Sequence, residues 1–182
     1  ATTGFPLTAA DNSRLQPELG GGALLDVGCY CVSLARLVFE RQPCRARAQG
    51  AVGPNGVDVT TVATLEYDEG TYAQLACSIA TAPHRNAVLI GSDGVMLTRF
   101  SNNTVAESAV LRVKRGVAWD ATFQNLQVPA GNGFVLEAEA FGRAVVKGDR
   151  AVRSSFHRRS RDNAATLAAI AASMRTGQPV DV

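Results

Sequence analysis

Asp26 and Tyr30 are the residues whose types and spacing are best suited to acid–base chemistry. They lie four positions apart in a segment with helical periodicity, so a helix places them on one face, one turn apart. A carboxylate and a phenol that converge there can orient a substrate hydroxyl and pass a proton. A structural interpretation stays open, in which Tyr30 is a half-buried aromatic residue and Asp26 favours the helix dipole.

Three consecutive glycines, Gly20, Gly21 and Gly22, directly precede that helix. Glycines at a helix N-terminus expose backbone N–H groups that have no intrahelical partner, and they let a ligand approach closely. The alternative is a turn that requires glycine for its conformation alone. The segment matches neither the G-x-G-x-x-G dinucleotide fingerprint nor the phosphate-binding loop with its lysine.

The helix that positions these residues is predicted from apolar periodicity over residues 24–39, where apolar side chains recur at steps of three and four. Gly28 lies inside the helix at a cost of about 1 kcal/mol relative to alanine. A glycine at such a position predicts the close approach of another segment of backbone.

From about residue 45 to residue 128 the apolar period becomes two, which is typical of strands. The turn sequences at 68–70 and 92–94 predict two hairpins. Together with single strands, they give about seven strands joined by short turns, so the sheet is expected to be largely antiparallel. The expected strands are 45–52, 57–67, 71–79, 87–90, 95–97, 109–113 and 121–126.

Helical periodicity returns near the end of the chain, with Asn132 and Asp162 as the expected caps of two helices. The basic run 150–161 between them is predicted to be a surface loop. The order helix, sheet, helix, helix without a linker predicts one α+β domain over residues 1–182. This domain has two layers, with a large, mostly antiparallel sheet and helices on one face.

One face of the two central strands is neither strongly apolar nor charged. Small, hydroxyl-bearing and mixed side chains suit a face that packs against another subunit, although a solvated, threonine-rich face is an equal alternative. The side chains of this open face are Thr60, Val62, Thr64, Tyr72, Gln74, Ala76 and Ser78.

The composition restricts the class of protein. Apolar residues make up 46% of the 182 residues, and the net charge of +2 is too small to indicate a nucleic-acid partner. No uninterrupted apolar run reaches about 18 residues, so no membrane partner is expected. Four irregularly spaced cysteines indicate neither a disulfide framework nor a metal site. We expect buried thiols in a reducing, cytoplasmic compartment, and, since the chain lacks an initiator methionine, a piece of a longer protein.

The segment 17–36, PELGGGALLDVGCYCVSLAR, closely resembles the helix that opens the C-terminal domain of the Gfo/Idh/MocA oxidoreductases. Residues 12–15, 90–94, 134–141 and 163–180 are also similar to segments of that domain. The resemblance implies a fold like the C-terminal domain of glyceraldehyde-3-phosphate dehydrogenase. It also implies an N-terminal Rossmann domain, absent from this chain, that binds NAD or NADP.

The resemblance further implies roles for individual residues. The family's aspartate and histidine fall on Asp26 and Tyr30, and the tyrosine is similar to the branch with glucose–fructose oxidoreductase and the dimeric dihydrodiol and xylose dehydrogenases. Tyr30 is then the proton donor beside a lysine of the absent half, and Asp26 positions the substrate. Asn12 and Arg14 are implied to contact the substrate, although Arg14 also fits an ordinary surface arginine. Gly20, Gly21 and Gly22 are implied to adjoin the cofactor.

The implied activity is hydride transfer between a nicotinamide and a sugar-like or small cyclic alcohol, in a homodimer or higher homo-oligomer formed through the open sheet face. The chain alone is expected to be inactive and to bind NAD or NADP weakly or not at all. Two alternatives stay open. One is a non-catalytic binding or scaffold member of the family, and the other is an enzyme that uses the cofactor for a transient oxidation during elimination or hydrolysis.

Overall fold

The computed structural model describes residues 1–99 and 109–182, which divide into two compact units. The first unit comprises Ala1–His84 and Arg158–Val182, and the second comprises Arg85–His157. Each unit contains strands and helical residues, and each is described separately below.

The described residues form nine strands and three α-helices. The strands are β1 (Thr2–Pro6), β2 (Arg45–Val52), β3 (Asp58–Tyr67), β4 (Thr71–Ser78), β5 (Ala80–Gly91), β6 (Gly94–Thr98), β7 (Ala109–Arg115), β8 (Gln124–Val128) and β9 (Val180–Asp181). The helices are α1 (Cys29–Phe39), α2 (Gly133–Val146) and α3 (Arg150–Thr176), and one turn of π-helix, Leu24–Gly28, leads into α1. These elements confirm the predicted α+β class with a large, mostly antiparallel sheet.

The strands of the first unit follow the order β1-β4-β3-β2-β9. The predicted alternation is confirmed on β3, where Ala63, Leu65 and Tyr67 are buried and Val62 is exposed. Strand β4 pairs antiparallel with β3 through the predicted turn, with Ala63 opposite Leu75. Period-two burial therefore gives this part of the sheet one apolar face.

Helices cover that apolar face of the first unit. At Gly28 a Cβ atom would lie 2.9 Å from the Cys77 sulfur, so the close neighbour of this glycine is a side chain rather than a backbone. Near the other end of α1, the Phe39 ring stacks on Tyr67 with 4.2 Å between ring centroids. The end of α3 is fixed by Ser173, whose hydroxyl accepts a 2.9 Å hydrogen bond from the Ala48 N–H.

The sheet of the second unit consists of β5 from Arg85 onward together with β6, β7 and β8, and each successive pair is antiparallel. The predicted turn at 92–94 is confirmed, because Gly91 pairs with Gly94. Asn132 caps α2 as predicted, accepting hydrogen bonds from the N–H groups of Phe134 and Val135. The predicted apolar stripe of α2 is exposed. Its Phe141 ring lies beside the Phe156 ring, with 6.4 Å between the ring centroids.

Several sequence predictions about elements are wrong. The run 150–161 is helical rather than a loop, because Asp149 accepts a hydrogen bond from the Val152 N–H and no glycine or proline interrupts the next 27 residues. Asp162, the expected cap of the last helix, therefore lies inside α3. Strand β1 is absent from the expected strands, which begin at residue 45, yet it pairs in parallel with β4, with Thr2 opposite Ala76. Strand β9 has two residues, too few for a periodic pattern, and β8 begins three residues later than expected.

The expected burial of the cysteines is confirmed for Cys31 and Cys77 only. Cys29 is half-buried, and Cys44 is exposed and donates to a carboxylate oxygen of Asp68 at 3.1 Å. A polar partner at the surface therefore satisfies this thiol.

The segment Pro17–Phe39 is long and apolar enough to cross a membrane by length and composition alone. It contains short 3₁₀, π and α turns, and Val27, Cys31 and Val32 are buried in the first unit. The core helix of a water-soluble domain meets the same criteria, so this is weak evidence for a membrane span.

Candidate functional site

The turn of π-helix at Leu24–Gly28 places Asp26 before α1, and Tyr30 follows as the second residue of α1. Single π turns widen a helix locally and are frequent at functional sites. Tyr30 is 37% exposed, and the Asp26 side chain is 22% exposed. Tyr30 therefore reaches the surface, and the Asp26 side chain reaches it in part.

Arg14 forms an ion pair with Asp26 in which Nε lies 2.7 Å from Oδ2. Both atoms are buried, and neither has a hydrogen-bond partner elsewhere among the described residues. A hydrogen bond to Asp26 is the main reason why the pKa of Arg14 lies above its ordinary value, and burial opposes the shift. Electrostatic interactions with Asp26 and, to a smaller extent, with Tyr30 raise it further.

Arg14 is held in place by three further contacts. Its guanidinium lies over the Phe5 ring, with Cζ 5.6 Å from the ring centroid. Its N–H donates to Oδ1 of Asn12 at 3.0 Å, and its carbonyl accepts from the N–H of Gly22 at 2.9 Å. The structure thus brings Asn12, Arg14 and Asp26 together, with the side-chain oxygen of Asn12 acting as a cap on the turn at Ser13–Leu15.

The N–H groups of the three glycines were expected to lack partners, but each of them donates a hydrogen bond. Those of Gly20, Gly21 and Gly22 donate to the carbonyls of Pro17, Gln16 and Arg14 respectively, at 2.9–3.0 Å. Both Gly20 and Gly22 have positive φ, +72° and +114°. A Cβ atom at Gly21 would lie 2.6 Å from the Arg14 carbonyl oxygen. Conformation and close packing within the chain therefore account for the glycines.

Asp58, the first residue of β3, is a residue of the site region that sequence reasoning missed. Its Oδ2 accepts from the Leu24 N–H at 2.8 Å and from the Thr61 hydroxyl at 2.7 Å. The contact joins positions 34 residues apart, so no local sequence pattern reveals it. The carboxylate caps the start of the helix and occupies the end where a ligand phosphate would bind.

The helix start consequently does not fit the phosphates of a dinucleotide. The glycine N–H groups are engaged, and the negative charge of Asp58 lies at the position that an anion would take. Throughout residues 1–99 and 109–182, no group of three or more His, Cys, Asp or Glu side chains is arranged to hold a metal ion.

The sequence resembles known oxidoreductases over most of its length. Residues 1–97 match the family model described as GFO/IDH/MocA C-terminal domain. Trans-1,2-dihydrobenzene-1,2-diol dehydrogenase from Xenopus laevis is 31% identical over 137 residues, which are 74% of this chain and 41% of the relative. D-xylose 1-dehydrogenase (NADP(+)) 2 from Haloferax volcanii is 33% identical over 143 residues, which are 77% of this chain and 42% of the relative. The chain therefore spans less than half the length of these relatives.

Solved structures share the fold. The 3-ketoreductase KijD10 from Actinomadura kijaniata, in complex with NADP and TDP-benzene, matches with a TM-score of 0.77 and 26% identity over 97% of this chain and 52% of that chain. Aldose-aldose oxidoreductase from Caulobacter crescentus, complexed with glycerol, matches with a TM-score of 0.79 over 100% of this chain and 54% of that chain. Its 17% identity shows likeness of fold alone. The family match over residues 1–97 shows that the chain belongs to the Gfo/Idh/MocA oxidoreductases, as a C-terminal domain of that family.

Proposed function

We propose that this chain is the substrate-binding and oligomerisation part of an NAD- or NADP-dependent oxidoreductase acting on a sugar-like or small cyclic alcohol. The names of the relatives support this proposal, since they include dehydrogenases of a dihydrodiol and of D-xylose. The observation that carries the proposal is that the exposed Tyr30 is the second residue of α1, four residues after Asp26, whose carboxylate is paired with Arg14.

In the proposed mechanism, Tyr30 exchanges a proton with the substrate hydroxyl through its phenol oxygen. The nicotinamide, when bound, supplies the hydride chemistry. The ion pair holds the Asp26 carboxylate in a fixed position beside the substrate, and Arg14 offsets its negative charge. A fixed carboxylate that is neutralised in this way orients a hydroxyl without adding net negative charge beside the phenol.

The proposed cofactor is bound outside this chain, by a Rossmann domain of the full-length protein that also supplies a lysine beside Tyr30. The support is the poor fit of the helix start for phosphate, because its N–H groups already donate to Asp58 and to backbone carbonyls. An isothermal titration of the chain with NADP tests this part. We expect no micromolar affinity, and a micromolar affinity contradicts the proposal.

The proton-transfer role is tested in the full-length protein with Tyr30→Phe. We expect kcat to fall by about a hundredfold, as for the loss of a general acid. Tyr72→Phe is the matched control, because Tyr72 is also exposed but lies on β4. A near-normal kcat for Tyr30→Phe removes Tyr30 from the mechanism.

A second candidate is a non-catalytic binding member of the family. One observation favours it. Arg14 and Asp26 form an ion pair with each other, and the paired atoms are buried, so these atoms are not presented to a substrate. The two candidates differ in turnover. A full-length protein that binds a sugar-like alcohol and NADP without any hydride transfer favours the binding member.

A further inference from the structure

We propose that Asp58 is a positioning residue that holds Asp26 and Tyr30 in their working geometry. The proposal rests on the function proposed above for this pair, and it adds a residue from a distant strand to the site. Asp58 begins β3, whereas the pair lies on the π turn and α1. Its carboxylate links β3 to the start of the helix that carries Asp26 and Tyr30, through a hydrogen bond from the Leu24 N–H.

The first step of the argument is the hydrogen bond from the Leu24 N–H to Oδ2 of Asp58, at 2.8 Å. Leu24 begins the π turn, and Asp26 is the third residue of that turn. The first N–H groups of a helix have no intrahelical acceptor, so an outside carboxylate fixes where the helix starts. Its negative charge also complements the positive end of the helix.

The second step concerns Gly22, which lies directly against the Asp58 carboxylate. A Cβ atom at position 22 would collide with Oδ1 of Asp58, so only glycine allows the backbone at position 22 to pack against this carboxylate. The N–H of Gly22 donates to the Arg14 carbonyl, and its own carbonyl accepts from the Asp26 N–H. Both partners of the ion pair are thus connected to the residue that rests on Asp58.

The third step is the orientation of the carboxylate itself. The hydroxyl of Thr61, which lies three residues further along β3, donates to the same Oδ2 atom at 2.7 Å. Two donors on one oxygen restrict the rotation of the side chain. Asp58 therefore transmits the position of β3 to the π turn, and through it to Asp26 and Tyr30.

Amide hydrogen exchange on the chain itself tests the proposal, with Asp58→Ala, Asp58→Asn and the parent chain compared. In Asp58→Ala, we expect exchange at residues 24–30 to accelerate about fivefold relative to β3, because a lost N-cap corresponds to ~1 kcal/mol. Asp58→Asn retains an acceptor for the Leu24 N–H and should restore most of the protection. Asp181→Ala is the matched control, since that carboxylate pairs with Arg45 at the far edge strand.

A spectroscopic measurement separates positioning from plain stability. The ring resonances of Tyr30 should move in Asp58→Ala and return in Asp58→Asn, whereas those of Tyr72 should stay unchanged in both. Uniform acceleration of exchange across the first unit, with Tyr30 unmoved, overturns the proposal. If Asp58→Ala does not fold, Thr61→Val takes its place, because it removes the hydroxyl that donates to Oδ2 of Asp58. Faster exchange at residues 24–30 and a shifted Tyr30 signal in Thr61→Val support the proposal, and values equal to those of Asp181→Ala overturn it.

Neither measurement depends on turnover, so the two proposals fail in different ways. Local loosening together with normal kcat in Tyr30→Phe leaves the positioning role of Asp58 intact and rejects the proton-transfer role of Tyr30. Unchanged local exchange together with a large loss of kcat in Tyr30→Phe does the reverse.

Discussion

The guanidinium of Arg14 and the carboxylate of Asp26 meet at 2.7 Å, although they come from an irregular segment and a helix that are separated by the glycine turn. Tyr30 follows Asp26 by four residues and is 37% exposed. The paired atoms of the ion pair are shielded from water while its side chains are partly exposed. It is thus intermediate between a surface salt bridge, which contributes little, and a buried one, which is costly to break.

A double-mutant cycle measures this coupling directly. We expect Arg14→Gln and Asp26→Asn each to lower the free energy of unfolding by roughly 1–2 kcal/mol, and the double variant to lose less than the sum. Urea unfolding of the four proteins gives the coupling energy. The exposed pair of Arg45 and Asp181 is the control and should show a smaller coupling. Strict additivity at Arg14 and Asp26 contradicts the prediction.

Gly22 should be far less tolerant of a side chain than another glycine with positive φ. Gly22→Ala places a Cβ against Asp58 in a backbone conformation with φ of +114°, so we expect a loss of roughly 2–4 kcal/mol. Gly70→Ala is the matched control, since Gly70 has φ of +68° and open space around its Cα. That variant should lose about 1 kcal/mol. Equal losses in urea unfolding would show that Asp58 does not crowd position 22.

Local periodicity was sufficient to predict much of the fold. The hairpin of β3 and β4, the second hairpin and the Asn132 cap are each encoded by residues that are neighbours in the sequence, and the structure confirms them. Strand β1 could not be predicted in this way, because its parallel partner β4 is distant in the sequence, with Thr2 opposite Ala76. The basic run 150–161 was misread since polarity was taken for a loop, whereas arginine and alanine favour helix.

The candidate site was only partly predictable for the same reason. The spacing of Asp26 and Tyr30 predicts that they share one face at the start of a helix. In the structure Tyr30 is 37% exposed, whereas the Asp26 side chain is 22% exposed and pairs with Arg14. The pairing of Arg14 with Asp26 and the cap provided by Asp58 depend on chain segments that meet only in the folded unit. A glycine triplet indicates a tight approach, but its sequence does not reveal whether a ligand or the chain itself approaches.

The free energy of unfolding should fall as the pH rises from 9 towards 12. Burial raises the pKa of Cys77 from 9.0 to about 12, that of Tyr67 from 10.0 to about 12, and that of Cys31 from 9.0 to about 11. Above the unfolded pKa, the unfolded chain releases these protons while the folded chain retains them. Stability is therefore fully present below pH 9 and decreases up to the folded pKa, by about 1.4 kcal/mol per unit for each group.

Urea unfolding at a series of pH values between 8 and 11 measures this slope. Cys77→Ala is the informative variant, because it removes one titrating thiol while leaving Tyr67 and Cys31 in place. Its stability should be lower at pH 8, where a cavity dominates, but should decrease less steeply above pH 9. A slope equal to that of the parent chain would mean that Cys77 ionises equally readily in both states.

The open sheet face should hold two copies of the chain together. Val62 is 44% exposed and Tyr72 is 56% exposed, and they lie on the uncovered faces of β3 and β4. A charge at the centre of a buried interface is unfavourable, so Val62→Asp should convert the oligomer to a monomer in analytical ultracentrifugation. Val38→Asp is the matched control, since Val38 is 42% exposed but lies on α1, and it should leave the mass unchanged. A parent chain that is monomeric at high micromolar concentration rejects this face as a self-association surface, and its threonine-rich strands are then simply solvated.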